Sequence, residues 1–352
     1  MKRVGNIYND ITKLGNIESA IMHASRGKTK RQKVAKILDF PTFYALQVQK
    51  MLKEKTYVPS PYFEMKIRDG ARKKERTIFK PQFYPDQIVH WSLMLKLEPI
   101  LLKGMYYYCC ASIKGRGIKH GMKYVKKILV KDRKYTKYCL KLDIKHFYPS
   151  INKEILKKKF RKKIKDPDTL WLIDTIIDSS KEGLPIGNYT SQWFANFYLE
   201  DLDRYIKDTL KVKYYIRYMD DMVLFSNNKK ELKKVKIAID EFLKKEDLKI
   251  KENWSLFKTE SRPIDFLGYR FYRGYTTLRR GNFLRIKRRM KKIYKKDTIN
   301  YHDACAAISY LGWIKHSNSY NYKKKYIDPY MDLEAFKEVI RNETRKRQET
   351  NK

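Results

Sequence analysis

The chain has 352 residues, 42% of them hydrophobic, enough to bury a substantial core and to exclude general disorder. Its 80 Lys and Arg against 39 Asp and Glu leave a formal charge of +41, far above the roughly 2–8 that a solvated surface carries. Self-repulsion of that size asks for a polyanion, and nucleic acid is the leading candidate because every phosphate met by Lys or Arg releases counterions. A membrane surface is the weaker rival, since no run of about 18 apolar residues exists and no signal peptide opens the chain. The basic residues are spread over the whole length, which suggests a long binding channel.

In chain order, residues 1–58 read as mostly helical and basic. "YVPSPYFEMKIRDGARKKERTIFKP" (57–81) reads as a hairpin turning at Asp69 and Gly70, with Arg and Lys on both arms. A helical period returns in 84–105 through Ile88, Trp91, Leu95 and Leu97. "CCASIKGRGIKHGMKYV" (109–125) reads as a Gly-rich basic loop. "YCLKLDIKHFYPSI" (138–151) contains a strand ending in Asp143, and a helix with Ile151, Ile155, Phe160 and Ile164 near one face follows. "PDTLWLIDTIIDSS" (167–180) is a helix stopped by "KEGLPIG", and 188–206 is helical with a wide apolar face. Residues 214–225, "YYIRYMDDMVLF", have the alternation of a buried strand broken by two acids. A helix at about 229–245, a strand at 264–273 bearing Gly268, and basic helix over 283–352 with a frayed polar tail from 341 complete the reading. Strands and helices mix without regular βαβ alternation, which predicts an α+β fold. Cys109, Cys110, Cys139 and Cys305 have no C-x-x-C spacing, so they read as packing residues in a reducing, cytoplasmic setting.

Asp220 and Asp221 are out of place in an apolar segment. An isolated Asp-Asp pair is usually a solvated turn, but here both flanks are apolar and no Gly, Asn or Pro marks one. If 214–219 and 222–225 are two arms of a hairpin beside the 138–143 strand, Asp143, Asp220 and Asp221 meet at one sheet edge. Close carboxylates repel and shift upward in pKa unless cations intervene. Two divalent ions about 3.5–4 Å apart would satisfy them and support in-line phosphoryl transfer, one activating a hydroxyl and the other binding leaving pyrophosphate. Mg²⁺ suits all-oxygen ligands and keeps places for substrate phosphate.

"YMDD" (218–221) with "LDIKHFYPSI" upstream resembles the catalytic motifs of reverse transcriptases, and "FLGYRF" follows in the same order. "GLPIGNYTSQWFANFYLEDLD" (183–203) resembles the Gly-x-x-x-Ser-Gln signature of reverse transcriptases from diversity-generating retroelements. "GNIYNDITKLGNIESAIMHASRGKTKR" (5–31) and "SYLGWIKHSNSYNYKKKY" (309–326) are similar to that family's opening and thumb, and Tyr189 departs from its usual Leu.

The resemblance implies a right-hand polymerase: an N-terminal extension and fingers in 1–105, more of the fingers in 152–185, a palm with antiparallel sheet in 106–151 and 186–274, and a helical thumb with a C-terminal tail in 275–352. It implies that Asp143, Asp220 and Asp221 hold two Mg²⁺, with Mn²⁺ as a substitute and the Ile144 carbonyl as a further ligand. Tyr148 would exclude a ribose 2′-hydroxyl. Arg76 would lie on the incoming base and triphosphate, since a planar guanidinium stacks and chelates together. Lys66 or Arg68 would bind the γ-phosphate, or they are solvated hairpin charges. Lys258 would stand near the leaving pyrophosphate. Ile186 and Gly187 would flank the forming base pair, with Ile186 in place of the Gln of accurate enzymes, or packing the helix start. Lys114, Arg116, Lys119, Ser191, Gln192, Trp313 and Lys315 would contact nucleic acid, although a solvated loop or a helical core also accounts for several of them.

The activity implied is RNA-directed DNA synthesis from dNTPs. It would copy a template-repeat RNA into adenine-mutated cDNA, with a small basic pentameric accessory protein as partner and no membrane. No nuclease segment is expected. The other readings are a different bacterial reverse transcriptase, of antiphage-defence or group II intron-like type, and a non-catalytic RNA-binding scaffold.

Overall fold

The computed structural model describes residues 3–69 and 74–349. The helical opening is built from α1 (Tyr8–Thr12), α2 (Leu14–Ser25), α3 (Gln32–Asp39) and α4 (Pro41–Lys53). Ile17, Ala20 and Ile21 of α2 and Ala45, Val48 and Leu52 of α4 are buried at helical spacing. They pack with α5 (Ile88–Leu102), whose Leu93 and Leu97 are also buried. Buried Asn16 stitches α2 to α5, its Nδ2 donating to the Ile11 carbonyl at 2.9 Å and to Ser92 Oγ at 3.0 Å.

The predicted hairpin is present as β1 (Phe63–Asp69) and β2 (Lys74–Lys80), antiparallel with Ile67 opposite Arg76. Its turn residue Gly70 and the side chain of Arg68 lie outside the described residues.

Part of the expected basic loop at 109–125 is instead α6 (Ile118–Lys131). Its glycine content disguised it, but Gly121 is inside the helix for a packing reason. A Cβ there would stand 2.7 Å from Leu267 Cδ1 and 3.2 Å from Ile216 Cδ1.

Then come β3 (Tyr138–Asp143), α7 (Phe147–Ser150), α8 (Lys153–Lys163), α9 (Pro167–Asp178), α10 (Tyr189–Tyr198), α11 (Glu200–Arg204), β4 (Tyr214–Tyr218), β5 (Asp221–Ser226), α12 (Lys229–Lys245) and β6 (Ser255–Lys258). Side-chain caps start several of these helices: Asn152 accepts from the amides of Glu154 and Ile155, and Asn228 from those of Lys230 and Glu231. Asp166 caps α9, where Pro167 opens the first turn, and its Oδ2 also accepts from the amides of Ile7 and Tyr8.

The central sheet is antiparallel, in the order β4-β5-β3-β6. Both of its faces are covered. Leu140, Leu142, Tyr215, Met222 and Leu224 join the core shared with the first helices, α8, α9, α10 and α12. Cys139, Ile216, Val223 and Phe225 join a second core with α6 and apolar residues between Ile264 and Phe336. Two-sided burial is why these strands read as nearly continuous apolar runs.

The expected strand at 264–273 is a hairpin instead: β7 (Ile264–Phe266) and β8 (Tyr269–Phe271), extended by β9 (Thr276–Leu278) into a second antiparallel sheet. Leu267 and Gly268, at φ 54° and 83°, make its turn. The chain closes with α13 (Arg280–Tyr294), α14 (Tyr301–Lys315), α15 (Tyr320–Tyr326) and α16 (Leu333–Glu349). The tail expected to fray from 341 therefore stays helical to Glu349.

The α+β architecture is as predicted. The four cysteines are free, and Cys109, Cys110 and Cys139 are buried. Among the described residues no helix is long and apolar enough to cross a membrane.

Candidate active site

Three strands deliver the acids to one end of the central sheet. Asp143 closes β3 and stands opposite Asp221, the first residue of β5. Tyr218 of β4 also pairs with Asp221, so Met219 and Asp220 form a two-residue turn. Met219 is left-handed there, at φ 53°.

The carboxyl groups of Asp143 and Asp220 act on each other electrostatically. Burial, and then the Asp143 charge, push Asp220 up to about 7. Asp221 turns the other way. Its Oδ2 accepts from Lys141 Nζ at 3.1 Å, while its buried Oδ1 has no hydrogen-bond partner. Burial raises it to about 6 despite Lys141. Lys251 Nζ meets Asp143 Oδ1 at 2.5 Å. Its backbone amide donates to the Asp143 carbonyl at 2.8 Å, and a bridge between Ile144 and Ile250 holds the two segments together.

The rest of the pocket is tied to this end by backbone contacts. Tyr148, in α7, donates from its hydroxyl to Met219 Sδ at 3.7 Å. Burial and the Asp220 charge raise its pKa, and Arg76 opposes the shift. Tyr148 thus lies within electrostatic reach of both the acid turn and β2.

Gly183, at φ 43°, lies against the Tyr148 carbonyl, which accepts from the Leu184 amide at 2.9 Å. Three residues on, the Phe79 amide of β2 donates to the Ile186 carbonyl at 2.8 Å. A Cβ on Gly187, at φ 142°, would fall 2.1 Å from the Phe79 carbonyl oxygen. Only glycine fits that approach. Arg76, Tyr148, Ile186 and Gly187 are therefore brought to one side of the acids, with the Ile186 side chain half-exposed.

Ser191 is buried in the first turn of α10 with its Oγ unpartnered, and Gln192 is exposed. Lys66 is exposed on β1 opposite Thr77, next to Arg76 in the hairpin.

Other expected residues lie elsewhere. Lys258 is a correction. β6 runs antiparallel to β3, placing Ser255 opposite Lys141 and Lys258 opposite Tyr138. Tyr138 and Asp143 are the two ends of β3, about 17 Å apart at strand rise, too far for a lysine to span. The lysine that reaches the acids is Lys251.

Lys114 acts electrostatically on His23 and Glu98, and Lys119 on His316. Arg116 donates from Nη1 to the Tyr106 carbonyl at 3.2 Å and lies over the Tyr107 ring. Trp313 stacks on Tyr269 at 5.5 Å and packs on Gly268, so one face of its ring is committed to the second sheet, while Lys315 is exposed.

Sequence reasoning missed Lys141 and Lys251. Lys141 carried a signal, two residues before Asp143 on the same strand face. Lys251 carried none, because only the β3–249–251 pairing brings it in.

Among the described residues no three His, Cys, Asp or Glu side chains stand gathered as a ready-made metal cage. The donor set nonetheless fits a hard divalent cation. It is all oxygen, two of its carboxylates resist ionisation, and one buried carboxylate oxygen lacks a partner. With cationic side chains on either flank, such an end of a sheet can gather phosphate and place a hydroxyl beside it.

Comparison with known proteins supports this chemistry. The family model described as reverse transcriptase (RNA-dependent DNA polymerase) matches residues 72–271. The Retron Ec73 reverse transcriptase of Escherichia coli is 31% identical over 176 residues, covering 46% of this chain and 53% of that protein. The Retron Se72 reverse transcriptase of Salmonella heidelberg (strain 579083-10) is 27% identical over 174 residues, covering 48% of this chain and 42% of that protein. The chain thus spans about half the length of the curated relatives it matches. A telomerase from Candida albicans, solved with a fragment of telomeric RNA, aligns at 13% identity and a TM-score of 0.48 over 67% of this chain and 49% of the other, a likeness too loose to carry an argument.

Proposed function

The chain belongs to the reverse transcriptase family, and from that premise we propose that it is an RNA-directed DNA polymerase that extends a DNA 3′ end with dNTPs. The observation that carries this reading is the meeting of Asp143, Asp220 and Asp221 at the end of β3, β4 and β5.

Asp143, Asp220 and Asp221, with the Ile144 carbonyl, are the groups that would hold divalent cations, Mg²⁺ by their all-oxygen character. When bound, these cations supply charge neutralisation at the reacting phosphate and a lowered pKa for the attacking hydroxyl. Lys141 and Lys251 hold the carboxylates in place. Tyr148 bars a ribose 2′-hydroxyl, Arg76 takes the triphosphate, and Ile186–Gly187 form the floor against which the new base pair sits. In this reading β1–β2 with the helices around it (1–105 and 152–185) are fingers. Residues 106–151 and 186–274 are palm, and 275–352 are thumb. Lys114, Arg116, Lys119 and Lys315 contribute to the nucleic-acid track, and the charge of +41 serves it.

The test is dNTP incorporation on a primed RNA template with and without Mg²⁺, with Asp220→Ala as control. Incorporation that survives Asp220→Ala would overturn the assignment.

The finer reading is a diversity-generating retroelement enzyme that copies a template-repeat RNA with errors at adenines, aided by a small basic pentameric accessory protein. "LPIGNYTSQ" (184–192) supports it. The placement of half-exposed Ile186 against β2, where its side chain offers no hydrogen bond to a base, agrees with a relaxed check on pairing. The retron relatives favour a second reading, a retron-like bacterial reverse transcriptase. Sequencing cDNA from a defined RNA separates the two. Errors concentrated at template adenines and reduced by Ile186→Gln support the first, and uniform fidelity supports the second.

A further inference from the structure

Arg217 is fully buried, at 0% exposure, in the strand that leads into the acid turn. Its Nε and Nη2 donate to the two carboxylate oxygens of Asp203 in α11, at 2.8 and 2.5 Å. Nη1 donates to Asn196 Oδ1 in α10 at 3.0 Å and to the Met219 carbonyl at 3.1 Å. The clamp is itself held. Asp203 accepts the Tyr215 hydroxyl at 2.7 Å, and Asn196 Nδ2 donates to the Ala111 carbonyl at 2.9 Å.

Burying two charges costs several kcal/mol per ion, and a well-packed apolar pair fills the same space without that cost. The ion pair does something an apolar pair cannot: it presents a charged donor to the carbonyl of Met219. That residue is left-handed at φ 53°, a conformation that costs a non-glycine residue about 1–2 kcal/mol. Two-residue hairpin turns ordinarily meet this demand with Gly, Asn or Asp, and this turn has Met. The residue after Met219 is Asp220.

We propose that Arg217, clamped by Asp203 and Asn196, is a positioning residue that fixes the left-handed turn at Met219 and so aims the Asp220 carboxylate at Asp143. The inference rests on the polymerase reading and assigns a role to three polar residues that touch neither nucleotide nor primer.

Arg217→Lys keeps a cation for Asp203 but loses the planar fork that reaches Asn196 and Met219 together. A displacement of the carboxylate near 1 Å lowers kcat for dNTP incorporation about 100-fold, with KM for dNTP held within about twofold because ground-state binding is untouched. Mn²⁺ affinity, read by calorimetry without nucleotide, falls in parallel. The loss of kcat caused by Arg217→Lys is smaller in a Met219→Gly background than in the parent, since glycine takes positive φ without strain. A folded Arg217→Lys protein with unchanged kcat and Mn²⁺ affinity overturns the proposal, as does an equal loss in the Met219→Gly background.

Should Arg217→Lys not fold, amide exchange of the unmodified protein decides. The Asp220 and Asp221 amides must exchange as slowly as those of β3, and exchange at the rate of a free turn overturns the role. If the parent chain incorporates no dNTP, the polymerase reading fails, and the exchange and Mn²⁺ results still judge Arg217.

Discussion

Replacing Gly187 with Ala tests whether the site is assembled by backbone contact between the 183–187 segment and β2. The added Cβ would lie 2.1 Å from the Phe79 carbonyl oxygen, where ordinary contact begins near 3.4 Å. Phe79 must therefore retreat by roughly 1 Å, because the obstacle is backbone and has no rotamer to yield. The alanine must also accept φ 142°, a region that is essentially glycine's own and costs about 1–3 kcal/mol. β2 carries Arg76 three residues before Phe79, so the retreat moves the guanidinium away from Tyr148 and the acids.

A reacting-group misplacement of that size lowers kcat/KM by on the order of 100-fold. The assay is single-nucleotide primer extension on an RNA template, with melting temperature measured on the same preparation. The hairpin is largely exposed, so the expected pattern is a large loss of dNTP turnover with a small loss of melting temperature. A Gly187→Ala protein with parental kcat/KM would refute the reasoning, because the contact would then be incidental to the site.

Asp220, at about 7 against an ordinary 3.8, binds its proton more tightly in the folded chain than in the unfolded one. Its contribution to stability is therefore complete below the ordinary carboxylate range and is lost as pH rises through about 7. Asp220→Asn should accordingly raise the melting temperature of chelator-treated protein at pH 8, by roughly 2–4 °C per kcal/mol regained, and leave it unchanged at pH 4. A lower melting temperature at pH 8 would contradict the assigned repulsion. Lys251→Met removes the cation on Asp143. It should lower the melting temperature of chelator-treated protein at pH 8, and Mn²⁺ at about 100 times its Kd should restore on the order of 2.7 kcal/mol. Tyr148→Ala should admit ribonucleotides, read as a rise in rNTP relative to dNTP incorporation, while Tyr148→Phe keeps the parental preference because exclusion is the ring's work.

Local patterns in the sequence made much of the site legible. The apolar flanks of Asp220 and Asp221 point to a buried hairpin, and the sheet buries them from both sides. Asp143 at the end of an apolar strand, with Tyr148 five residues on, survives as a unit because the segment is short and its geometry local. Cues that depend on one residue type misled. The glycines of 109–125 suggested a loop where α6 forms, since Gly121 answers to Leu267, more than a hundred residues away. Residues 264–273 read as one strand, where Gly268 makes a turn under Trp313.

Composition and local periodicity by themselves determined the α+β class, the high net charge and the three acids, because burial pattern and net charge are properties of the residues present. The tertiary structure alone decided which cations serve those acids. The register of β6 against β3 sends Lys258 to the far end of the sheet, and the pairing of Ile144 with Ile250 brings Lys251 to Asp143. Strand register and the burial of Arg217 against Asp203 are settled by contacts between distant segments. A one-residue slip in a strand sends every side chain to the opposite face, and nothing within a short window of sequence records which register is taken.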